Sequence, residues 1–370
     1  MAIINATGLY TPEYSVSNDE LVEAFNLHVN RYNTDNHSAI EKGDLEALPL
    51  SSSAFIEKAS GIKSRYLVSK EGILNPDILA PLIKERSNDE PSLLAEMSVK
   101  AAQQALEKAG RQASDIDIII VACSNLQRAY PAISIEVQQL LGAGGYAFDM
   151  NVACSSATFG IKTATDAIRS GTAKSVLVIS PEVCSGHLNF KDRDSHFIFG
   201  DAATAILIED NTLAQDDAFS IIDTRCVTKF SNNIRNNFGF LNRTSPNTAN
   251  NTDKLFVQNG RSVFKEVCPM VSKLINAHIN DNNIEKSDIK RLWLHQANLS
   301  MNQLIAKNVL GKEFDREDAP IILDTYANTS SAGSIIALHK HSQGIESGKY
   351  GVICSFGAGY SAGSVILRKR

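Results

Sequence analysis

Asn151-Val-Ala-Cys-Ser-Ser-Ala-Thr-Phe-Gly160 decides how this chain is read. A Gly-rich turn (Gly142, Gly144, Gly145) and a short apolar run, Tyr146 to Met150, lead into it. Ile161-Lys-Thr-Ala-Thr-Asp-Ala-Ile-Arg169, apolar at helical spacing, follows. Cys154 therefore stands where a buried strand or loop passes into a helix start, among small residues that let another group approach. The first helical turn presents unpaired N–H groups and a partial positive charge, and both favour a thiolate over a thiol. Such an address makes a cysteine a nucleophile, whereas a lone cysteine at a helix start is more commonly a small apolar filler. The rest of the chain decides between the two.

The stretch has a second copy. Cys154-Ser-Ser-Ala157 opens one helix and Thr329-Ser-Ser-Ala332 opens another. Ser114-Asp-Ile-Asp117 precedes the strand before Cys123, and Ser287-Asp-Ile-Lys290 precedes the strand before His295. Lys174 and Lys349 stand at the same offset beyond the two helix starts, and Ser180 and Ser355 each close an apolar strand. Matching offsets in a matching order of elements indicate two copies of one α/β unit, roughly residues 1–210 and 218–370. Each unit alternates buried strands with helices, so each forms a mixed sheet covered by helices. Pairing the units brings the loops at Cys154 and at Asn328-Thr329 together near a pseudo-twofold axis.

Composition limits the function. At 370 residues with 43% apolar and 21% charged residues, the chain is of ordinary globular type with room for two units. A formal net charge of −5 gives no overall pull toward nucleic acid or an anionic membrane. The segment Met1 to Gly8 has no signal-peptide pattern, and no apolar run reaches the roughly 18 residues of a membrane span. The six cysteines (123, 154, 184, 226, 268, 354) are widely spaced, without a Cys-x-x-Cys pair. That pattern points to a reduced, cytoplasmic protein, neither a disulfide scaffold nor a zinc site.

Local signals place the elements. Ser17-Asn-Asp-Glu20 caps a short helix through Phe25, and residues 26–53, polar and aperiodic, read as a surface insertion. Leu93 to Lys108 is an amphipathic helix closed by Gly110, and Ile118 to Cys123 and Ser175 to Ser180 are buried strands. The Asn-rich stretch 230–254 reads as a flexible excursion, and helices are expected at Lys265 to Ile279 and Leu299 to Leu310.

Three further segments supply chemistry. Trp293-Leu-His295-Gln-Ala-Asn298-Leu puts a histidine at a strand end, where α/β proteins place reacting groups. Ala327-Asn328-Thr-Ser-Ser-Ala-Gly-Ser334 puts an asparagine before a helix start, where the plain alternative is an N-cap. Ser355-Phe-Gly357-Ala-Gly359-Tyr is a Gly-rich turn able to aim N–H groups at an oxyanion. Cys, His and Asn also serve papain-like hydrolases, but the internal repeat argues against that fold.

From Gly8 to Gly363 the chain resembles β-ketoacyl-acyl-carrier-protein synthase III, of the thiolase-like condensing enzymes. The resemblance rests on Asn-Val-Ala-Cys154-Ser-Ser, Phe199-Gly-Asp-Ala-Ala-Thr-Ala205, His295-Gln-Ala-Asn-Leu, Asn328-Thr-Ser-Ser-Ala and Phe356-Gly-Ala-Gly. It implies a thiolase-like fold, two pseudo-twofold-related halves in a layered αβαβα core. It implies that Cys154 takes an acyl group from acyl-CoA or acyl-carrier protein, with the N–H groups of Cys154 and Ala358 as oxyanion hole. His295 and Asn328 then hold the thioester carbonyl of malonyl-acyl-carrier protein during decarboxylation, beside an apolar wall at Phe356. The implied substrates are CoA and carrier-protein thioesters, with neither metal nor redox cofactor. Tyr130 matches a position that reaches across a homodimer into the partner's acyl pocket.

The departures concern specificity. A family tryptophan and arginine that clamp the CoA adenine are replaced by Phe55 and Ala59, while Arg193 matches the family's other arginine there. Ser300 stands where a carrier-docking basic residue is usual, although Lys265 and Lys307 match and Arg261 adds charge. The loop Ser124-Asn-Leu-Gln-Arg-Ala-Tyr-Pro131 holds no Asp or Glu, which argues against relatives that condense without decarboxylation. The insertion after Asn26 and the Asn-rich stretch suggest a variant for longer or carrier-bound acyl groups. The alternatives are a secondary-metabolite ketosynthase or acyltransferase on the same scaffold, and a catalytically silent subunit, against which the intact trio speaks.

Overall fold

Unbroken apolar runs become strands buried on both faces, and amphipathic runs become the helices that cover them, across residues 1–370 of this computed structural model. The first part holds β1 (Ala2–Tyr10), β2 (Tyr14–Ser17), α1 (Asn18–Asp35), α2 (His37–Glu41), α3 (Ser53–Ser60) and β3 (Ser64–Leu67). It continues with α4 (Leu93–Ala109), β4 (Ile118–Ala122), α5 (Ile133–Leu141), β5 (Tyr146–Met150), α6 (Ser156–Arg169), β6 (Ser175–Val183) and β7 (Asp201–Asp210). The second part holds β8 (Phe219–Ser231), β9 (Ile234–Arg235), β10 (Val257–Gln258), α7 (Gly260–Asp281), β11 (Ile289–Leu294) and α8 (Leu299–Leu310). It closes with α9 (Leu323–Tyr326), α10 (Ala332–Lys340), β12 (Tyr350–Gly357) and β13 (Gly359–Lys369).

Nine strands are hydrogen-bonded in the order β11-β12-β13-β8-β1-β7-β6-β4-β5. Outward from the β1/β8 junction the two sides repeat one pattern. β1-β7-β6-β4 runs antiparallel, antiparallel, parallel, and β8-β13-β12-β11 does the same. The junction itself is short, pairing Ile3 with Ser220 and Ile4 with Phe219 only. Beyond it the two sides diverge and enclose α6 and α10, each of which packs against strands of both. α4 and α5 cover the outer face of one side, and α7 and α8 that of the other. The result is an αβαβα stack. Its three apolar interfaces are separate: Ala101, Ile119 and Leu177 under α4; Ile161, Ile206, Ile335 and Ile353 around the central helices; Val271, Leu292 and Ile305 under α7 and α8.

The repeated Ser-Asp-Ile segments form equivalent 3-10 turns, Ala113–Asp115 and Lys286–Asp288, each feeding a strand. Three sequence expectations change. Ser17 does form the capping box with Glu20, but α1 continues ten residues beyond Phe25. Its solvent face is polar, which made a surface helix look like a loop, while Leu21, Phe25 and Val29 are buried. Only residues 42–52 are irregular, and they fold back along α1 through Asn26 to Ser51 (2.9 and 3.1 Å) and Asn33 to Leu48 (2.9 and 3.0 Å). The Asn-rich stretch is structured too. It forms successive 3-10 turns, in which Asn242 accepts from the Gly239 N–H at 2.6 Å and Asn237 donates to Asp253 at 2.8 Å. The helix expected from Lys265 begins at Gly260, capped by Asn259, whose side chain accepts from the Ser262 N–H at 3.1 Å.

Candidate active site

The nucleophile's loop is shaped by its own side chains. Asn151 donates to the Ser124 carbonyl and accepts from the Ala153 N–H, both at 2.9 Å. Ala153 takes φ +47, a left-handed conformation uncommon outside Gly and Asn, so the chain turns sharply just before Cys154. Ser156, the first residue of α6, accepts from the Val152 N–H at 2.8 Å and closes the loop. Gly357 lies against the thiol: a Cβ there would stand 2.6 Å from Cys154 Cβ and 2.9 Å from Sγ. The backbone N–H groups of Ala358 and of Cys154 itself act on the sulfur to favour its ionised form.

One sequence expectation is corrected here. Burial pushes the Cys154 thiol up to about 11, against the opposing pull of the Ser330 hydroxyl and those two N–H groups. Desolvation of a thiolate therefore opposes the pull of the helix start at Cys154.

His295 follows β11 and its N–H donates to the Cys354 carbonyl at 2.8 Å. The next residue holds the loop. Gln296 is buried, accepts from the N–H groups of Ile322 and Leu323 at 3.0 and 3.2 Å, and donates to the Leu294 carbonyl at 2.9 Å. The His295 ring meets Phe356 edge to face, with centroids 5.2 Å apart. Burial lowers its pKa to about 4, so the imidazole is neutral, and its Nδ1 is buried without a partner. Asn328 accepts from the Ser330 N–H at 2.9 Å through Oδ1, which leaves its Nδ2 as the free end. The backbone of Asn328 bridges to the Phe199-Gly-Asp motif: its N–H donates to Ile198 at 3.0 Å, and its carbonyl accepts from Gly200 at 3.1 Å. Gly200 is required there, since a Cβ would meet the Tyr326 carbonyl at 2.2 Å.

Cys154, His295, Asn328 and Phe356 line one cavity of about 400 Å³, with Phe197, Phe199 and Phe264 among its apolar walls. A soft nucleophile, a neutral imidazole and a free carboxamide therefore face a single largely apolar space. That arrangement suits acyl transfer to sulfur followed by stabilisation of a second oxyanion.

The remaining predicted residues fall elsewhere. The Arg193 guanidinium lies over the Phe55 ring at 3.9 Å and donates to the Leu50 carbonyl at 2.7 Å. Phe55 in turn meets Phe197 of the cavity wall edge to face, and Ala59 lines the cavity itself. Arg261 and Lys265 are exposed on the first turns of α7, whose Gly260 lines the cavity mouth. Lys307 is paired with Glu313 at 2.6 Å. Tyr130 is not brought to Cys154 within the chain; it is 84% exposed on another face, beside Ile135 and Leu140. Sequence reasoning missed Glu182, a carboxylate 1% exposed between the Cys154 and Asn328 loops. The signal was a lone Glu at the end of an apolar strand, Val176-Leu-Val-Ile-Ser-Pro-Glu182, where burial of a charge is unusual.

A sequence profile of 3-Oxoacyl-[acyl-carrier-protein (ACP)] synthase III matches residues 148–229, and one of the C-terminal part of that family matches residues 279–369. A Beta-ketodecanoyl-[acyl-carrier-protein] synthase of Pseudomonas aeruginosa is 62% identical over 349 residues, 94% of this chain and 100% of that protein. A Beta-ketoacyl-[acyl-carrier-protein] synthase III of Granulibacter bethesdensis is 31% identical over 371 residues, 99% of each chain. The crystal structure of 3-oxoacyl-[acyl-carrier-protein] synthase III from Aquifex aeolicus superposes with a TM-score of 0.77 over 100% of both chains at 24% identity, which shows the shared fold.

Proposed function

The chain belongs to the 3-oxoacyl-[acyl-carrier-protein] synthase III family, and on that premise we propose how its residues divide the reaction and which acyl group it takes. It is a condensing acyltransferase of fatty-acid biosynthesis that forms a β-ketoacyl thioester. In the first half-reaction the Cys154 sulfur attacks the acyl thioester carbonyl. The N–H groups of Cys154 and Ala358 stabilise the oxyanion, and the leaving thiol departs with the cysteine's proton. In the second, malonyl-acyl-carrier protein loses CO₂, and the charge gathers on its thioester oxygen. His295 and Asn328 donate to that oxygen; two neutral donors in a dry cavity suit an enolate without an ion to desolvate. The carbanion attacks the acyl-Cys154 carbonyl and expels the sulfur, which regains a proton. The cycle so written calls for no metal or redox cofactor. The observation that carries it is the convergence of Cys154, His295 and Asn328 on one apolar cavity.

The acyl group is of medium length. The product named for the 62%-identical relative has a ten-carbon acyl chain, and malonate contributes two of those carbons, so the primer has eight. The donor side has Phe55 and Arg193 near the cavity and the carrier side Arg261 and Lys265, exposed and suited to an acidic carrier protein. A second copy of the chain completes the enzyme. β5 ends the sheet with one edge unpaired, and Tyr130, Ile135, Leu140 and Tyr146 are exposed around it. Unprotected edges of this kind are normally covered. Light scattering should therefore give twice the 40.2 kDa chain mass.

The experiment is a panel of acyl-CoA donors, with the Cys154 adduct read by intact mass. An octanoyl adduct should form fastest, and malonyl-acyl-carrier protein should then release CO₂. Faster acylation by acetyl-CoA would refute the chain length, and no adduct from any donor would refute the nucleophile.

A further inference from the structure

Glu182 sits near the end of β6, 1% exposed, and does not line the Cys154 cavity. Its hydrogen-bond partners are serine groups from two loops and, at 3.9 Å, the Cys184 thiol. One carboxylate oxygen accepts from the N–H of Ser124 at 3.0 Å, the N–H of Ser331 at 3.2 Å and the Ser331 hydroxyl. The other accepts from the Ser124 hydroxyl at 2.6 Å. Burial raises the carboxyl to about 7 even with these donors, so the fold keeps a costly group here. Enclosed by these donors and absent from the cavity lining, it is not placed to act as the base of a non-decarboxylating condensation.

Each serine leads to one catalytic loop. The Ser124 carbonyl accepts from Asn151, whose Oδ1 holds the Ala153 N–H next to Cys154. Ser331 ends the turn that begins at Asn328, inside which the Ser330 N–H fixes the Asn328 carboxamide. Removing either serine's hydroxyl loosens one loop from Glu182 and leaves the other loop's contacts in place.

We propose that Glu182 is a positioning residue serving both half-reactions, holding the Cys154 loop through Ser124 and the Asn328 turn through Ser331. The inference rests on the division of labour set out above, with acylation at Cys154 and decarboxylation at His295 and Asn328.

The test measures two rates separately in the full-length protein: acylation of Cys154 by octanoyl-CoA, and CO₂ release from malonyl-acyl-carrier protein by the acylated enzyme. A misplacement of about 1 Å costs on the order of 100-fold, so S331A should slow CO₂ release roughly 10- to 100-fold with acylation within about threefold. S124A should show the reverse. E182A should slow both steps, and E182Q should recover most of that loss. The Gln carbonyl replaces the oxygen that takes both N–H groups, and its NH₂ donates to the Ser124 hydroxyl. If S124A and S331A slow both steps alike, or neither, the inference fails. It also fails if E182Q is as slow as E182A with an unchanged Tm, since charge and not hydrogen bonding would then be the cause. If E182A does not fold, the two serine variants still decide. A wild-type protein that neither acylates nor releases CO₂ overturns the functional reading and not this contact alone.

Discussion

The loop at Cys154 and the turn at Asn328 are two copies of one element, and they present different residues to the same cavity. In the first, the left-handed residue is Ala153, directly before the cysteine, and α6 begins two residues later at Ser156. In the second, Ala327 (φ +54) and Ser330 (φ +49) are left-handed, and α10 begins at Ala332, one equivalent position later. The sequence counterpart of Cys154 is Thr329, which is fully buried with its hydroxyl unpartnered, while Asn328 one place earlier lines the cavity. A left-handed residue redirects the side chains that follow it. Moving it by one or two places turned a nucleophile's loop into an amide donor's turn, on the same strand-helix frame.

Breaking the first copy has the largest expected effect. Cys154→Ala removes the acceptor sulfur, so acylation by octanoyl-CoA should fall by roughly 10,000-fold or more, with no adduct by intact mass. The residual fold should still decarboxylate malonyl-acyl-carrier protein, because the second copy is untouched; an adduct on Thr329 would overturn the assignment of unequal roles. Breaking the second copy is the mirror test. Asn328→Ala removes one of two donors and should lower CO₂ release roughly 100- to 1,000-fold, with the acyl-Cys154 adduct still accumulating. Equal loss of both steps would mean that the two loops do not divide the reaction.

The smallest effect concerns pH. Burial holds the Cys154 thiol up near 11, so the thiolate fraction rises with pH and does not saturate below that value. Alkylation of Cys154 by iodoacetamide should therefore increase about tenfold per pH unit between pH 7 and 9. A plateau beginning near pH 7 would show that the helix start prevails over burial. His295 is lowered to about 4 by the same cause and carries a proton only below that pH. CO₂ release by the acylated enzyme should thus stay level from pH 6 to 8; a fall as pH rises through 6 would make a charged imidazole the donor.

Much of this was legible in the chain. Continuous apolar runs at Ile118 and Ser175, the paired Ser-Asp-Ile segments and the repeated Ser-Ser-Ala helix starts point to an internally repeated α/β fold. Cys154, His295, Asn328 and Phe356 were each marked by a local pattern, and all four line the same cavity. The misreadings share a cause. α1 beyond Phe25 and the turns after Ser231 are polar because they lie at the surface, and asparagine side chains there bond to backbone, at Ser51 and Leu48 for α1 and at Gly239 within the turns. Composition records solvent exposure there and is silent about those partners.

By itself the sequence determined the main buried strands and helices, the repeat and the identity of the groups that meet Cys154, because periodicity and spacing are local properties. Only the tertiary structure decided the state of that cysteine and the place of Glu182. A helix start argues for a thiolate, but desolvation depends on everything packed around the sulfur, and here it pushes the thiol up. Asn151 to Gly160 thus set the nucleophile's position, and the enclosing halves set its chemistry.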